Sequence, residues 1–320
     1  LFGPGSVIYG SDAVGGVMSF NTLTPKFSLD ENASISGNAI TRYSSANNES
    51  TGHLDLNVGW KKWAISTSIS AWDYDHLRQG SNGPDDYLKP FYVKRINEED
   101  VVIPLEDGGL RQIPSAYSQL NLMQKVRFKP AQAWDFQYGF HYSETSPYGR
   151  YDRHNRIRNG LPRYAEWDYG PQIWMMNNLS ITHFAQRGAF DQMSIRLAHQ
   201  HFEESRIDRD LNKPIRTTQD EKVTAFSVNT DFTKILDANN TLVYGAEWVL
   251  NEVYSNGMIT NIISQESSPG PSRYPRADWR SFGVYINEEH KLNEQVNLQA
   301  GLRYNWFGLD ASFDTSFYPF

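Results

Sequence analysis

Cysteine is absent from this 320-residue chain. It therefore carries no disulfide framework, no thiolate metal centre and no cysteine nucleophile, and it can cross an oxidising compartment without cross-linking. Long apolar runs are missing too. Nothing approaches the roughly 18 consecutive apolar residues of a membrane-spanning helix. Strands escape that exclusion, because a spanning strand needs only about 9–11 residues, every second one apolar. Nor is there an excess of base. Lys and Arg number 30 against 37 Asp and Glu, a net charge of −7, which is the wrong sign for general nucleic-acid binding. The chain also has no P-loop, no nucleophile elbow and no HExxH run. Its paired carboxylates, Asp85-Asp86 and Glu203-Glu204, are adjacent in sequence. Neighbours on a strand point to opposite faces, so neither pair forms an acid–base dyad, and no catalytic residue is assigned.

Aromatic side chains are plentiful, with 9 Trp, 18 Tyr and 17 Phe, although the mean hydropathy is only −0.59. So many rings exclude disorder. A polar average with many aromatics suits a barrel that is wet inside, apolar outside and girdled by rings. Alternation with period 2 recurs from about residue 32. Leu54, Leu56, Val58 and Trp60 oppose Asp55, Asn57 and Gly59. Trp134, Phe136, Tyr138, Phe140 and Tyr142 oppose Asp135, Gln137, Gly139, His141 and Ser143. Leu242, Tyr244, Ala246, Trp248 and Leu250 oppose Val243, Gly245, Glu247 and Val249, and Val296 to Trp306 repeats the pattern. Each run reads as a strand with one apolar and one mostly polar face. The parity predicts Leu56, Ile65, Leu122, Phe136, Leu197, Phe226, Tyr244, Val284 and Leu298 outside, with Asn57, Gln137, Asn229, Gln299 and Arg303 inside.

Connections alternate in length. Short turns fall at 61–62, 129–132, 186–188, 237–240 and 292–294; longer links fall at 44–50, 77–115, 147–169, 207–219 and 257–277. Outer-membrane barrels sort their turns and loops this way. Eleven strands lie between them, roughly 32–43, 50–60, 62–76, 116–129, 133–146, 170–185, 189–206, 219–235, 240–256, 279–291 and 295–309. Within the loop 77–115, Phe91–Ile96 and Val101–Pro104 read as a hairpin.

The first 20 residues sharpen the picture. Gly3-Pro4-Gly5-Ser6-Val7-Ile8-Tyr9-Gly10-Ser11-Asp12-Ala13-Val14-Gly15-Gly16 resembles the segment that closes the plug domain of TonB-dependent outer-membrane receptors. The matching positions, Gly3, Gly5, Tyr9, Gly10, Gly15 and Gly16, are structural matches and not ligand contacts. The fold class expected is all-β: a transmembrane antiparallel β-barrel preceded by the last part of a plug, residues 1–28, with residues 29–320 as the first half of the barrel. Receptors of that family have about 22 strands, so eleven strands and a start at Leu1 read as a fragment. The resemblance implies import across the Gram-negative outer membrane and no enzymatic step. It further implies TonB as periplasmic partner, acting on a region outside this chain, and an extracellular small-molecule ligand. Lipid and lipopolysaccharide surround the wall; no cofactor and no nucleic acid are implied. A passive porin or adhesin barrel needs the same strands without the plug motif. A soluble carbohydrate-active enzyme needs a buried carboxylate pair and two apolar inner faces.

The candidate ligand site is the loop 147–169. Arg150, Arg153, Arg156 and Arg158 are interleaved with Tyr151, His154 and Tyr164. Guanidinium groups grip carboxylates in pairs of hydrogen bonds and rings stack on planar ligands, so an anionic iron chelate, siderophore or haem, fits. Cobalamin and oligosaccharides are alternatives. For haem, His154 is the candidate axial ligand. His199, His201 and Glu203 share a strand face but fall outside the wall, and no metal site is assigned. His141 faces the lumen.

Overall fold

The computed structural model describes residues 7–10, 13, 17–185 and 187–318. Eleven long antiparallel strands form one meander: β1 Ser34–Ser44, β2 Glu49–Gly59, β3 Trp63–Tyr74, β4 Tyr117–Ala131, β5 Trp134–Thr145, β6 Ile173–Phe184, β7 Gln192–Asp210, β8 Ile215–Ile235, β9 Asn240–Asn261, β10 Arg276–Lys291 and β11 Asn297–Ser312. Each pairs with its neighbours in sequence, and among the described residues β1 and β11 each keep one edge unpaired. The sheet is open, with eleven wall strands as expected. The last five strands are longer than the alternation suggests, so the expected link 207–219 shrinks to the turn 211–214. Polar residues at those strand ends hid the extensions.

Directly paired residues in an antiparallel sheet project to the same side. One row can therefore be followed across the whole wall: Ile35, Val58, Ile65, Val126, Tyr138, Leu179, Leu197, Val228, Trp248, Phe282 and Trp306. All eleven are apolar or aromatic. The next row, on the other face, is Ser36, Asn57, Ser66, Lys125, Gly139, Asn178, Ala198, Ser227, Val249, Ser281 and Phe307. Only Val249 and Phe307 break its small or polar character. All nine residues expected outside share the first face; the five expected inside share the second. The apolar face is also bare: Leu56, Trp248, Phe282, Leu302 and Trp306 stay exposed. Lipid covers such a face at no desolvation cost.

The chain before β1 lies against the polar face. The Asn57 side chain accepts from the Lys26 N–H at 2.9 Å and donates to its carbonyl at 3.0 Å. Lys125 Nζ donates to Thr22 at 2.6 Å, and the Arg127 guanidinium donates to the Pro25 carbonyl at 3.3 Å and covers the Phe27 ring. Gly59 permits this contact, because a Cβ there would sit 2.3 Å from the Lys26 carbonyl oxygen. Asn57→Leu keeps the volume and leaves both Lys26 backbone groups bare. An unmet buried group costs about 1–3 kcal/mol, so hydrogen exchange at Lys26 in the full-length protein should speed up by roughly tenfold or more. An unchanged rate would show that the amide clasp is idle. Of the motif positions, Gly3, Gly5, Gly15 and Gly16 lie outside the described residues; Tyr9 closes a short 3-10 turn over 7–9, and Gly10 has φ +127°.

Candidate ligand site at the loop end of the wall

The three wide connections, 75–116, 146–172 and 262–275, leave the sheet at the same end, together with the four-residue turns 45–48 and 211–214 that take the place of the longer links expected there. The link between β3 and β4 folds into the expected hairpin, Phe91–Ile96 with Glu99–Pro104. Its turn is tighter than the sequence suggests, with Asn97 and Glu98 both at positive φ. A two-residue turn needs that twist, and Asn tolerates it well. The link between β5 and β6 supplies a helical turn, Tyr151–His154, and a strand, Tyr164–Tyr169, that pairs with the outer end of β7.

Five rings line up across these elements. Tyr74 stacks on Tyr117 at 4.7 Å between ring centres; Tyr148 follows at 5.8 Å, Tyr169 at 6.0 Å, and Trp167 meets Tyr169 edge-on at 5.2 Å. Three guanidinium groups crowd the end of the ladder. Arg150, Arg153 and Arg206 lie 5.0, 5.5 and 5.2 Å from the Trp167 ring centre. Arg150 and Arg206 both donate to the Tyr169 hydroxyl, at 3.2 and 3.3 Å. Among the described residues only Asp152 forms ion pairs with this group, accepting from Arg150 at 2.7 Å and lying 3.8 Å from Arg153 Nε. The Nε atoms of Arg153 and Arg206 are buried without a hydrogen-bond partner. Beside the ladder, on the polar face, a cleft of about 460 Å³ opens between Tyr117, Tyr148, Trp174 and Phe202, with the amides of Gln119 and Gln172 at its edge. Positive charge with unspent donors, next to flat apolar walls, can hold a planar anion.

The residues singled out in the sequence divide. Arg150 and Arg153 belong to the cluster. Arg156 is exposed, and Arg158 is exposed and donates to Asp210 at 2.8 Å. Tyr151 donates to the Tyr87 carbonyl at 2.7 Å, and Tyr164 is buried under Arg163. His154 lies away from the cluster's surface. It is only 5% exposed, and Nε2 donates to the Trp167 carbonyl at 3.0 Å. It braces the strand that carries Trp167, and burial with Nε2 engaged argues against the axial-ligand reading. His141 does face the polar side, 6.1 Å from Trp174. His201 sits on the apolar face, bonded to Glu203 at 2.7 Å. Among the described residues no group of three metal-binding side chains assembles. Sequence reasoning missed Arg206, Tyr169, Tyr74 and Tyr117. Parity could have marked Arg206, which shares the inner face of β7 with Phe202.

Neighbouring loops brace this site. Gly149 abuts Pro114 so closely that a Cβ would lie 2.2 Å from its ring. Lys89 is 2% exposed, donates to the Ile113 carbonyl at 2.6 Å and sits over the Tyr151 ring; burial lowers its pKa to about 8. Deepest of all is Arg209. It donates to both oxygens of Asp100 at 2.7 and 2.8 Å and to Glu166 at 3.0 Å. Arg216 donates to Glu166 at 2.6 Å. Burial alone would raise the Glu166 pKa, but the hydrogen bonds and charges of Arg216 and Arg209 hold it below the usual carboxylate range.

Residues 103–319 match the family model described as TonB dependent receptor-like, beta-barrel. Solved structures share the fold at low identity. The copper transporter OprC superposes with a TM-score of 0.73 and 14% identity over 97% of this chain and 42% of that one. The FrpB iron transporter of Neisseria meningitidis gives 0.60 and 15% over 88% and 42%; the ferric citrate transporter FecA gives 0.57 and 13% over 96% and 42%. The chain thus spans about four-tenths of the length of these structures. No curated protein matches it in sequence.

Proposed function

Since the chain belongs to the TonB-dependent receptor-like β-barrel family, we propose that it is part of an outer-membrane receptor importing an anionic, ring-bearing metal chelate. The ligand class we favour is an iron chelate. Residues 1–28 are read as the end of the plug and 29–320 as barrel wall. TonB acts from the periplasm on a region outside this chain, and transport makes and breaks no bond in the ligand. The observation that carries the reading is the Arg150–Arg153–Arg206 cluster at the end of the tyrosine ladder. Metal uptake also accords with the solved relatives, which are named for copper, iron and ferric citrate. With His154 buried and its Nε2 engaged by the Trp167 carbonyl, a siderophore or citrate complex is favoured over haem. An oligosaccharide could stack on the tyrosines, but it has no use for three crowded guanidinium groups.

The test is Arg150→Ala, Arg153→Ala and Arg206→Ala together in the full-length receptor. Charge-assisted hydrogen bonds contribute about 1.5–3 kcal/mol each, and partial exposure reduces the sum. A loss of binding of about a hundredfold is expected for ferric citrate or a ferric catecholate, with the wild type more salt-sensitive than the mutant. If the triple mutant binds every tested iron complex like wild type, and grows on each, the anionic-chelate reading fails.

A further inference from the structure

The 42-residue link between β3 and β4 is closed at its base by a short strand pair, Leu77–Arg78 with Arg111–Gln112, and below that pair by one imidazole. His76 Nδ1 accepts two backbone N–H groups from the far end of that link, Ser115 and Ala116, both at 3.1 Å. The Ser115 hydroxyl returns the contact by accepting the Leu77 N–H at 2.9 Å. A ring nitrogen accepts hydrogen bonds only through its lone pair, so this geometry belongs to the neutral imidazole. Protonation would place an N–H against two N–H groups. The latch then loses both bonds and gains repulsion.

The same link reaches the ligand site at its crown. Above the latch, the same segment carries Tyr87 and Lys89 against Tyr151, Pro114 against Gly149, and Asp100 against Arg209. These are the contacts that brace the loop of Arg150 and Arg153. We propose that His76 is an acid-released latch: in the neutral form it holds the long loop against the arginine site, and on protonation it lets the loop swing away. The loop movement stands by itself; its effect on ligand rests on the function proposed above.

The groups facing the imidazole set the sign. Burial is the largest influence and lowers its pKa from the ordinary 6.5; Asp75 raises it, while Arg111 and Lys89 lower it again. The closed state therefore binds the proton less readily than the open one. Closure has its full strength above about pH 6.5 and weakens as the pH falls from there to the depressed value, the open-to-closed ratio rising at most about tenfold per pH unit across that window and levelling off below it.

Because the chain has no cysteine, one spin-label pair can be placed at Glu98→Cys and Asn159→Cys in the full-length receptor. Distances between the labels, measured without ligand, should be narrow at pH 7.5 and should lengthen and broaden at pH 4.5. His76→Asn keeps an acceptor that does not titrate and should remain narrow at both values. His76→Phe removes the acceptor and should be broad at both. An unchanged wild-type distribution at pH 4.5 would overturn the latch. Opening of His76→Asn at the wild-type midpoint would also overturn it and point to the Asp100–Arg209 pair. Because no ligand is present, a failed iron-chelate reading leaves this result intact. A second measurement, ferric citrate binding at the two pH values, tests the link to the site.

Discussion

Arg209→Ala is expected to release the hairpin 91–104 from the rest of the loop array while leaving the wall folded. Arg209 and Asp100 side chains are each 1% exposed, so truncating the cation leaves a buried carboxylate with only the Asn212 N–H and the Arg95 guanidinium, at 3.5 Å, as partners. Breaking a buried pair from one side costs about 3–5 kcal/mol. The Asn212 N–H, which donates to Asp100 at 2.8 Å, does not offset that loss. Hydrogen exchange and trypsin cleavage within 91–104 should rise by two orders of magnitude or more, with β7 below residue 205 unaffected. The double replacement Arg209→Met with Asp100→Leu removes both charges and should recover most of the protection, since a well-packed apolar pair often equals a buried ion pair. Glu166 keeps Arg216 as a partner. Acid should not mimic the single mutant until well below the usual carboxylate range. Burial would raise the Asp100 pKa, but the hydrogen bonds of Arg209 and the Asn212 N–H hold it down. The stability it contributes is therefore present above its ordinary 3.8 and lost only as pH falls through the depressed value. Equal cleavage in wild type and Arg209→Ala would mean that the hairpin is held elsewhere.

Two neighbouring residues should respond in opposite ways to the same substitution. Val228 and Ser227 occupy one level of β8 and project to opposite faces. Val228 lies between Leu197 and Trp248 in the unbroken apolar row; Ser227 lies between Ala198 and Val249 on the polar side. Val228→Arg in the complete barrel should cost about 2–4 kcal/mol on folding into bilayers, the range for a cation on the lipid face at mid-depth. Ser227→Arg should change folding by less than about 1 kcal/mol, because its guanidinium reaches a wet interior. Urea titration of the barrel refolded in vesicles would give both values. Equal penalties would invalidate the assignment of faces, since a register error of one residue would exchange the two outcomes.

The wall was legible because its signal is repetitive. Each strand states its own parity, as at Trp134 to Tyr142, and each short turn resets it. Strand length was legible only where the alternation stays apolar. At the outer ends of β7, β8 and β9 the pairing continues through Asp208, Thr217 and Thr260, residues that read as loop because lipid no longer selects their side chains. The candidate site was half legible. Composition drew attention to the arginines and tyrosines of 147–169, but which of them gather is decided by contacts across long sequence distances. Arg206 comes from a strand assigned wholly to the wall. His154 looked free in sequence and is buried, because a backbone carbonyl 13 residues away claims its nitrogen. Such pairings leave no periodic trace.

The meander has a consequence for assembly. Along the wall every long strand pairs with its predecessor and successor, the short loop strands on β7 and β9 being the additions, so the wall can lengthen by one hairpin at a time, each step closing a single loop. The entropic cost of a closure rises only slowly with loop length, so even the 42-residue link before β4 is a modest hurdle. Growth of this kind needs no distant partner until the end. At every stage the newest edge offers bare N–H and C=O groups, and it templates the next strand as readily as a stray one. A cell that makes such a wall must therefore deliver it to a place where the next correct strand arrives first.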